Sequence, residues 1–203
     1  MSLVETAVPE RFRDLADRLT GRVVTTADPD WDAERQAWNL AVDQRPEAVV
    51  VPADASDVAV VVGFARDNGL RVVPQSTGHL AAPLGDLSGA VLLHTSRLRG
   101  VEVDAEARTV RAGAGVVWAE VTSALEPQGL AALAGSSPDV GIAGYLLGAG
   151  FSWMARKRGL GCSAVTALDV VTADGRRRQV TAESEPDLFW ALRGGKGGLA
   201  VVT

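Results

Sequence analysis

The sequence predicts an α+β fold in two lobes that divide near residue 103. Three observations lead to this prediction. A strand, a helix and a second strand follow one another over residues 48–73, which is the pattern of a parallel crossover unit. Short β-branched runs separated by turn signals come next, and those at 167–181 predict a hairpin. Twenty-two glycines, many of them between 135 and 150 and between 194 and 198, indicate backbone that lies close to another group.

The N-terminal segment predicts one helix and an irregular lead-in. Pro9 suits a first helical turn, and Gly21 follows the helical pattern as a stop signal. The apolar residues at helical spacing are Phe12, Leu15, Ala16 and Leu19. Residues 27–47 are polar and irregular, and we expect Trp31 and Trp38 to anchor them by packing.

The crossover unit comes next. Ala48–Val51 is an apolar, β-branched run that predicts a buried strand. Ser56 or Asp57 is expected to cap the following helix, and Gly69 to end it. A second strand at residues 71–73 returns the chain, so the two strands should be parallel.

The remaining elements alternate short strands with short helices. They are strands at 90–93, 101–103 and 109–112, a helix over 116–125, a glycine-interrupted helix over 141–158, a hairpin of 167–172 with 179–181, a helix from Pro186 to Leu192, and a strand at 199–203. All five tryptophans occupy positions that predict core packing, namely Trp31, Trp38, Trp118, Trp153 and Trp190.

The composition argues against several classes of function. A net charge of −5 and a pI of about 5.1 provide no basic surface for nucleic acid. The single cysteine, Cys162, rules out an intramolecular disulfide and a cysteine-based zinc site, and no metal site is expected. The first residues lack the regions of a signal peptide, and no apolar run approaches the ~18 residues that span a bilayer. We therefore expect a cytoplasmic protein without a membrane partner.

Two segments carry candidate binding chemistry. The loop Pro74–His79 is rich in small residues, so its N–H groups could surround a pyrophosphate, although an ordinary strand-ending loop has the same composition. Gly135–Gly150 contains five glycines, which disfavours an isolated helix and favours a bound ligand. Gly113–Gly115 and Gly148–Gly150 are not Rossmann motifs, because tryptophan occupies the third glycine position of each.

Several motifs together resemble one family. They are Arg45-Pro-Glu-Ala-Val-Val-Val-Pro52, Gln75-Ser-Thr-Gly-His79, Thr109–Gly115 with Trp118, Gly135–Gly150, and Asp187-Leu-Phe-Trp-Ala-Leu-Arg-Gly-Gly195. In this order they resemble the FAD-binding (PCMH-type) domain of the vanillyl-alcohol oxidase and berberine-bridge-enzyme superfamily. The resemblance runs from Arg45 to Thr203. It implies a small α/β lobe and a larger lobe with a mixed or antiparallel sheet and helices.

The resemblance also implies a cofactor and its site. FAD is expected, with its 8α-methyl bonded to His79; a non-covalent loop histidine is the alternative. The implied cofactor-binding residues are Gln75, Ser76, Thr77, Gly78, His79, Leu80, Gly135, Ser136, Ser137, Val140, Gly141, Gly144, Tyr145, Gly148 and Val201. Tyr145 either approaches the flavin or packs inside the chain. No catalytic residue is identified, and Asp139, the nearest candidate for a base, is not expected to act as one.

The sequence also departs from the family pattern. Ser137 stands where some relatives carry a cysteine that forms a second flavin bond, so a bicovalent flavin is not expected. Ser163 replaces a frequent acidic residue, and Gly-Gly-Leu-Ala at 197–200 replaces Gly-Gly-Asn-Phe, which affects the adenine side and local packing. The family continues into a substrate-binding domain. The predicted organisation is therefore a helix and lead-in (1–44), a first lobe (45–103) and an incomplete second lobe (104–203).

The implied function is oxidoreduction. A small organic substrate would give a hydride to flavin N5, and the electrons would pass to O2. Two alternatives stay open: a non-catalytic FAD-binding module or partner subunit, and a dehydrogenase with the same fold and another acceptor.

Overall fold

The fold combines a mostly parallel sheet, an antiparallel sheet, one separate hairpin and short helices. Within residues 10–203, the part of the chain that the computed structural model describes, the elements are α1 (Glu10–Ala16), β1 (Arg22–Val24), α2 (Trp31–Glu34), β2 (Ala48–Val51), α3 (Ala55–Asp67), β3 (Arg71–Gln75), β4 (Ala90–His94), β5 (Val101–Asp104), β6 (Thr109–Ala112), α4 (Trp118–Leu125), α5 (Ile142–Leu147), α6 (Ala155–Arg158), β7 (Ala167–Thr172), β8 (Arg177–Thr181), α7 (Pro186–Leu192) and β9 (Ala200–Val202). The α+β class predicted from the sequence is confirmed.

The first sheet has the strand order β1–β2–β4–β3. β2 and β3 are both parallel to β4, as the crossover pattern predicts, with Val49 and Val73 each paired to Leu92. β4 lies between them, however, so the two strands of the crossover unit do not touch. β1 joins the other edge of β2 in antiparallel orientation. Its three residues carry too little periodicity to be predicted from the sequence.

The helix α3 begins at Ala55, at least two residues earlier than the predicted caps allow. Its N-cap is Asp54, whose carboxylate accepts hydrogen bonds from the backbone N–H groups of Ser56 and Asp57. The predicted caps, Ser56 and Asp57, are therefore wrong. Asp57 is buried and its carboxylate accepts three other backbone N–H groups, those of Thr20, Gly21 and Ala53. A carboxylate inside the helix thus ties α3 to the start of β1 and the end of β2.

The first helix is shorter than predicted. α1 ends at Ala16 rather than near Gly21, and the predicted start at Pro9 lies outside the described residues. Gly21 has a different reason to be glycine. A Cβ at this position would lie 2.2 Å from the carbonyl oxygen of Val51. The backbone before β1 thus needs a residue without a side chain to approach β2.

The C-terminal half is built from hairpins and short helices. β5 and β6 pair as predicted, and β7 is the central strand of an antiparallel sheet ordered β8–β7–β9. The helix predicted over 141–158 is in fact two short helices, α5 and α6. Ala149 and Gly150 separate them with φ angles of 79° and 72°. Two successive left-handed residues end any α-helix.

The main core joins both halves of the chain. Phe12 and Val58 pack in one cluster with Val171 and Val201. Of the five tryptophans predicted in the core, Trp118 is buried and Trp31 is half-buried, so the prediction is wrong for the other three. The exposed fractions of Trp38, Trp153 and Trp190 are 58%, 85% and 79%.

Their positions explain this exposure. Trp153 lies between α5 and α6, and Trp190 lies on the outer face of α7, whereas its neighbours Phe189 and Leu192 are buried. Across the described residues, no helix has the length and apolar character that crossing a membrane requires.

Candidate functional site

Two backbone carbonyl groups of the loop after β3 hold it in place through contacts with Trp38 and His94. The N–H of Trp38 donates to the carbonyl of Thr77 at 2.8 Å, and His94 Nε2 lies 3.0 Å from the carbonyl oxygen of Ser76. Gly78 has φ +79°, and a Cβ there would lie 2.8 Å from the Cβ of Ala37. The sequence Ser-Thr-Gly-His thus turns tightly under residues 36–38, where only glycine fits. His94, the last residue of β4, thus has a structural role in holding this loop.

The loop begins at a buried amide pair. Gln75 closes β3 and accepts a hydrogen bond from Gln44 Nε2 at 2.9 Å. Gln75 Nε2 and Gln44 Oε1 are buried and find no other partner within residues 10–203. The side chain of Gln75 packs closely against Gly78, since a Cβ on that glycine would lie 3.1 Å from Gln75 Cδ.

The second glycine-rich segment reaches this loop at one point. Gly141 precedes α5, and a Cβ on it would lie 2.5 Å from Ser76 Oγ. Its N–H points toward Thr77 Oγ1 at 3.5 Å. The structure therefore brings Ser76, Thr77 and Gly141 together, as the resemblance implies. The N–H of Trp118 donates to the carbonyl of Val140, so α4 supports the same strand-like stretch.

His79 stands in a small polar and aromatic cluster. Its Nδ1 lies 2.7 Å from Thr77 Oγ1. Its other ring nitrogen, Nε2, is buried and has no hydrogen-bond partner among the described residues. The nearest carboxylate oxygen, Asp139 Oδ2, is 3.7 Å away, which is too long for a hydrogen bond. A buried, unpartnered nitrogen on a histidine is a group that a cofactor could bind.

Trp38 and Asp139 complete this cluster. The indole of Trp38 stacks on the imidazole of His79, with ring centroids 4.1 Å apart and an interplanar angle of 16°. Trp38 Nε1 donates to Asp139 Oδ2 at 2.9 Å, and Ser137 Oγ donates to Asp139 Oδ1 at 2.9 Å. Hydrogen bonds lower the pKa of Asp139 below its ordinary value of 3.8. The bond from Ser137 has the largest effect, and those from the backbone and Trp38 have smaller effects. Asp139 is therefore a carboxylate at neutral pH.

Tyr145 packs inside the chain. Its hydroxyl donates to the carbonyl of Leu133 at 3.0 Å, and its ring meets Trp118 edge-on at 5.2 Å. Burial raises the pKa of its phenol above 10. A Cβ at Gly135 or Gly150 would lie 3.0 Å or 2.6 Å from the ring. These two glycines thus have a packing reason inside the chain, and a bound ligand is not needed to explain them.

The other predicted site residues lie around this centre at different depths. Leu80, Ser136, Gly144 and Gly148 are exposed, whereas Val201 is buried in β9, paired with Val171. Val201 belongs to the main core cluster, which includes none of residues 75–80. Trp38 and Gln44 were missed as site residues because they belong to the irregular segment 27–47. No periodic or motif signal marks such a segment, and only the tertiary contact with the loop shows their place.

Two openings lie near these residues. A cavity of about 560 Å³ is lined by Ser76 and Thr77 of the loop, by Asp139, and by Gly115 and Val117 before α4. Its loop residues offer hydroxyls and backbone N–H groups, which suit a phosphate without a lysine. A larger groove of about 1280 Å³ runs between the β5–β6 hairpin and β7, and it contains none of the predicted site residues. The described residues hold no group of three or more His, Cys, Asp or Glu that could bind a metal ion.

The chain matches known proteins along most of its length. A family model described as "FAD binding domain" matches residues 46–181. The (R)-6-hydroxynicotine oxidase of Paenarthrobacter nicotinovorans is 31% identical over 91% of this chain and 40% of its own length. The glucooligosaccharide oxidase of Sarocladium strictum is 34% identical over 85% of this chain and 35% of its own length.

A solved structure shows the same fold. That protein, the glucooligosaccharide oxidase of Acremonium strictum, is described with a 6-S-cysteinyl, 8α-N1-histidyl FAD. It superposes with a TM-score of 0.87 and 29% identity, covering 95% of this chain and 41% of that one. The chain thus spans less than half the length of these relatives.

Proposed function

Since the chain belongs to the FAD binding domain family, we propose that it is the FAD-binding part of a flavin-dependent oxidoreductase. Bound flavin would supply the redox chemistry, taking a hydride from a small organic substrate at N5 and passing the electrons to O2. The support is the family match together with relatives that are named as oxidases of small molecules. The single observation in this chain that favours it is His79 at the end of the tight turn at Gly78, with its ring stacked on the indole of Trp38.

The chain's own contribution is to hold and orient the cofactor. The N–H groups of residues 75–80 and 136–144 would bind the pyrophosphate and the ribityl chain, since glycines keep this backbone accessible. The hydroxyls of Ser76 and Thr77 line the cavity beside the loop. The phosphates need no lysine to neutralise them here, because the backbone N–H dipoles of such a loop favour an anion without a lysine.

The proposal includes a covalent bond between His79 and the 8α carbon of the flavin. The structurally similar glucooligosaccharide oxidase is described with an 8α-N1-histidyl FAD, in which N1 is the imidazole nitrogen Nδ1. We propose Nδ1 of His79 as the reacting nitrogen; in this structure it lies 2.7 Å from Thr77 Oγ1. The flavin of that relative also has a cysteinyl bond, whereas this chain has Ser137 before its Pro-Asp-Val-Gly sequence. We therefore propose one covalent bond, not two.

We also propose a cellular location and domain boundaries for the protein. We retain the divisions 1–44, 45–103 and 104–203 and a cytoplasmic location as predictions from the sequence. Proteolysis of the purified protein tests the divisions, because exposed boundaries between lobes are cut first. Fractionation of the source cells tests the location.

The test of the proposed function is the fate of the flavin on denaturation. We expect the purified protein to be yellow and to keep its flavin in the pellet after acid precipitation, whereas His79→Ala releases it into the supernatant. Trp190→Phe, a change at an exposed tryptophan in α7, is the control and should behave like the wild type. Release from the wild type would exclude the bond to His79 but leave FAD binding intact. A native protein that binds no flavin would overturn the whole proposal.

A further inference from the structure

His79 is held on two sides by residues that the sequence motifs do not connect with it. The stacked indole of Trp38 covers one face of the imidazole. The carboxylate of Asp139 lies near Nε2 and is itself fixed by hydrogen bonds from Ser137 and from Trp38. These residues come from three separate stretches of the chain. Their convergence on a single histidine needs an explanation, because Trp38 and Asp139 are half-exposed or more and contribute little to the core.

We propose that Trp38 and Asp139 are positioning residues that prepare His79 for bond formation with the flavin. This inference rests on the proposed function. Trp38 fixes the plane of the imidazole by stacking, and Thr77 fixes its rotation through Nδ1. Asp139 places a negative charge beside Nε2, which favours the N–H at that nitrogen and leaves the lone pair on Nδ1 to form the new bond.

The bond-forming step reduces the flavin, and O2 is the oxidant that restores it. A bond forms between His79 Nδ1 and the 8α carbon, and one C–H bond of the 8α-methyl and the imidazole N–H bond break. The electron pair of the C–H bond and the two protons are taken up by the isoalloxazine, which becomes reduced flavin. O2 then oxidises it and is itself reduced to hydrogen peroxide. While Nδ1 donates its lone pair, the ring gains positive charge, and the Asp139 carboxylate attracts that charge.

Three substitutions separate stacking from charge. Asp139→Asn keeps an oxygen that can accept from Trp38 but removes the negative charge, so attachment should slow on the order of tenfold. Trp38→Phe keeps an aromatic face but loses the N–H donor to Asp139, and its effect should be smaller. Trp38→Ala removes both and should slow attachment at least as much as Asp139→Asn. Asp67→Asn, at an exposed end of α3, is the matched charge control.

The readouts must distinguish positioning from a structural role. Apoprotein is mixed with FAD, and acid-stable flavin is measured against time at several FAD concentrations. We expect the affinity for FAD to be within about twofold of the wild type for Asp139→Asn, a difference of only ~0.4 kcal/mol, while the rate constant of attachment falls. A loss of folding would instead lower both affinity and rate together.

A second readout does not depend on the flavin. The chain has two histidines, so the ¹⁵N resonances of the His79 ring can be assigned by their absence in His79→Ala. In the wild type, the two ring nitrogens should have separate ¹⁵N shifts, because Thr77 and Asp139 favour one tautomer of the imidazole. In Trp38→Ala the two shifts should approach each other as the ring is released, and in Asp139→Asn the shift of Nε2 should change.

The outcomes are distinct. Slower attachment and altered ¹⁵N shifts in Asp139→Asn and Trp38→Ala, with the Asp67→Asn control unchanged, support the positioning role. Attachment at the wild-type rate in both variants overturns it and leaves the proposed bond to His79 intact. Unaltered ¹⁵N shifts in both variants also overturn it, because then neither residue holds the ring. If the wild type never retains flavin in acid, the covalent bond of the proposed function fails and the positioning role fails with it.

Discussion

The loop after β3 and the glycine-rich stretch 135–150 use glycine for different reasons. In the loop, Gly78 takes a left-handed conformation and lies against Ala37, so that the chain can turn and present His79. In the second stretch, Gly135 and Gly150 lie against the ring of Tyr145. Glycine enrichment alone therefore indicates close packing. It indicates a ligand only where the approaching group is not a side chain of the same protein.

The largest expected effect is that of Gly150→Ala. This glycine has φ +72°, and its new Cβ would lie 2.6 Å from Tyr145 Cε1. A left-handed alanine costs about 1–2 kcal/mol, and overpacking adds roughly 1–3 kcal/mol. We expect the free energy of unfolding, measured by urea denaturation, to fall by about 2–5 kcal/mol.

A matched control separates these two costs. Gly129 has φ +64° and ψ 23°, in the left-handed region, and no atom within 4 Å of the position where a Cβ would be placed. Gly129→Ala should therefore cost only the conformational part, about 1–2 kcal/mol. Equal losses in the two variants would contradict the view that Tyr145 is the reason for glycine at position 150.

Gly141→Ala should have the second-largest effect on stability. Its effect on flavin binding should be larger than that of Gly150→Ala. Gly141 has an ordinary φ of −64°, so its substitution tests contact alone. The new Cβ would lie 2.5 Å from Ser76 Oγ and 2.9 Å from Ser76 Cβ. We expect a loss of about 1–3 kcal/mol in the free energy of unfolding.

The same substitution should weaken FAD binding by roughly tenfold or more, a change of at least ~1.4 kcal/mol. The loop must shift to make room, and its N–H groups then no longer converge on the pyrophosphate. Fluorescence titration of the apoprotein with FAD measures this, and Gly150→Ala should change affinity less than Gly141→Ala. The reverse order would show that the stretch around Tyr145, rather than the Ser76–Gly141 contact, governs the cofactor site.

The same contrast shows how far the sequence leads. Local signals predicted β2, β5, β6 and α7 within one residue or none, because periodicity and a first-turn proline act within the element itself. They could not show that β4 separates β2 from β3, since strand order is decided by tertiary packing. They also could not place Trp38 and Asp139 around His79, because these residues are about 40 and 60 positions away from it.

Tyr145→Phe tests the packing role of the tyrosine with a smaller change. The hydroxyl donates to the carbonyl of Leu133, and losing this partly buried hydrogen bond should cost about 1 kcal/mol of unfolding free energy. FAD affinity should stay within about twofold of the wild type, equivalent to ~0.4 kcal/mol. A large loss of affinity with unchanged stability would show instead that the hydroxyl contacts the flavin.

The smallest expected effect on stability, and the one of opposite sign, is that of Gly144→Ala. Gly144 lies inside α5, is exposed, and has no atom within 4 Å of where a Cβ would be placed. Alanine should therefore raise the free energy of unfolding by about 0.5–1 kcal/mol, because glycine loses more backbone entropy in a helix. If this backbone contacts the flavin as we propose, the added methyl group should also weaken FAD binding. Greater stability with unchanged FAD affinity would remove Gly144 from the proposed site. Greater stability with weaker FAD binding would show that the ligand, rather than the fold, requires this glycine, in contrast to Gly135 and Gly150.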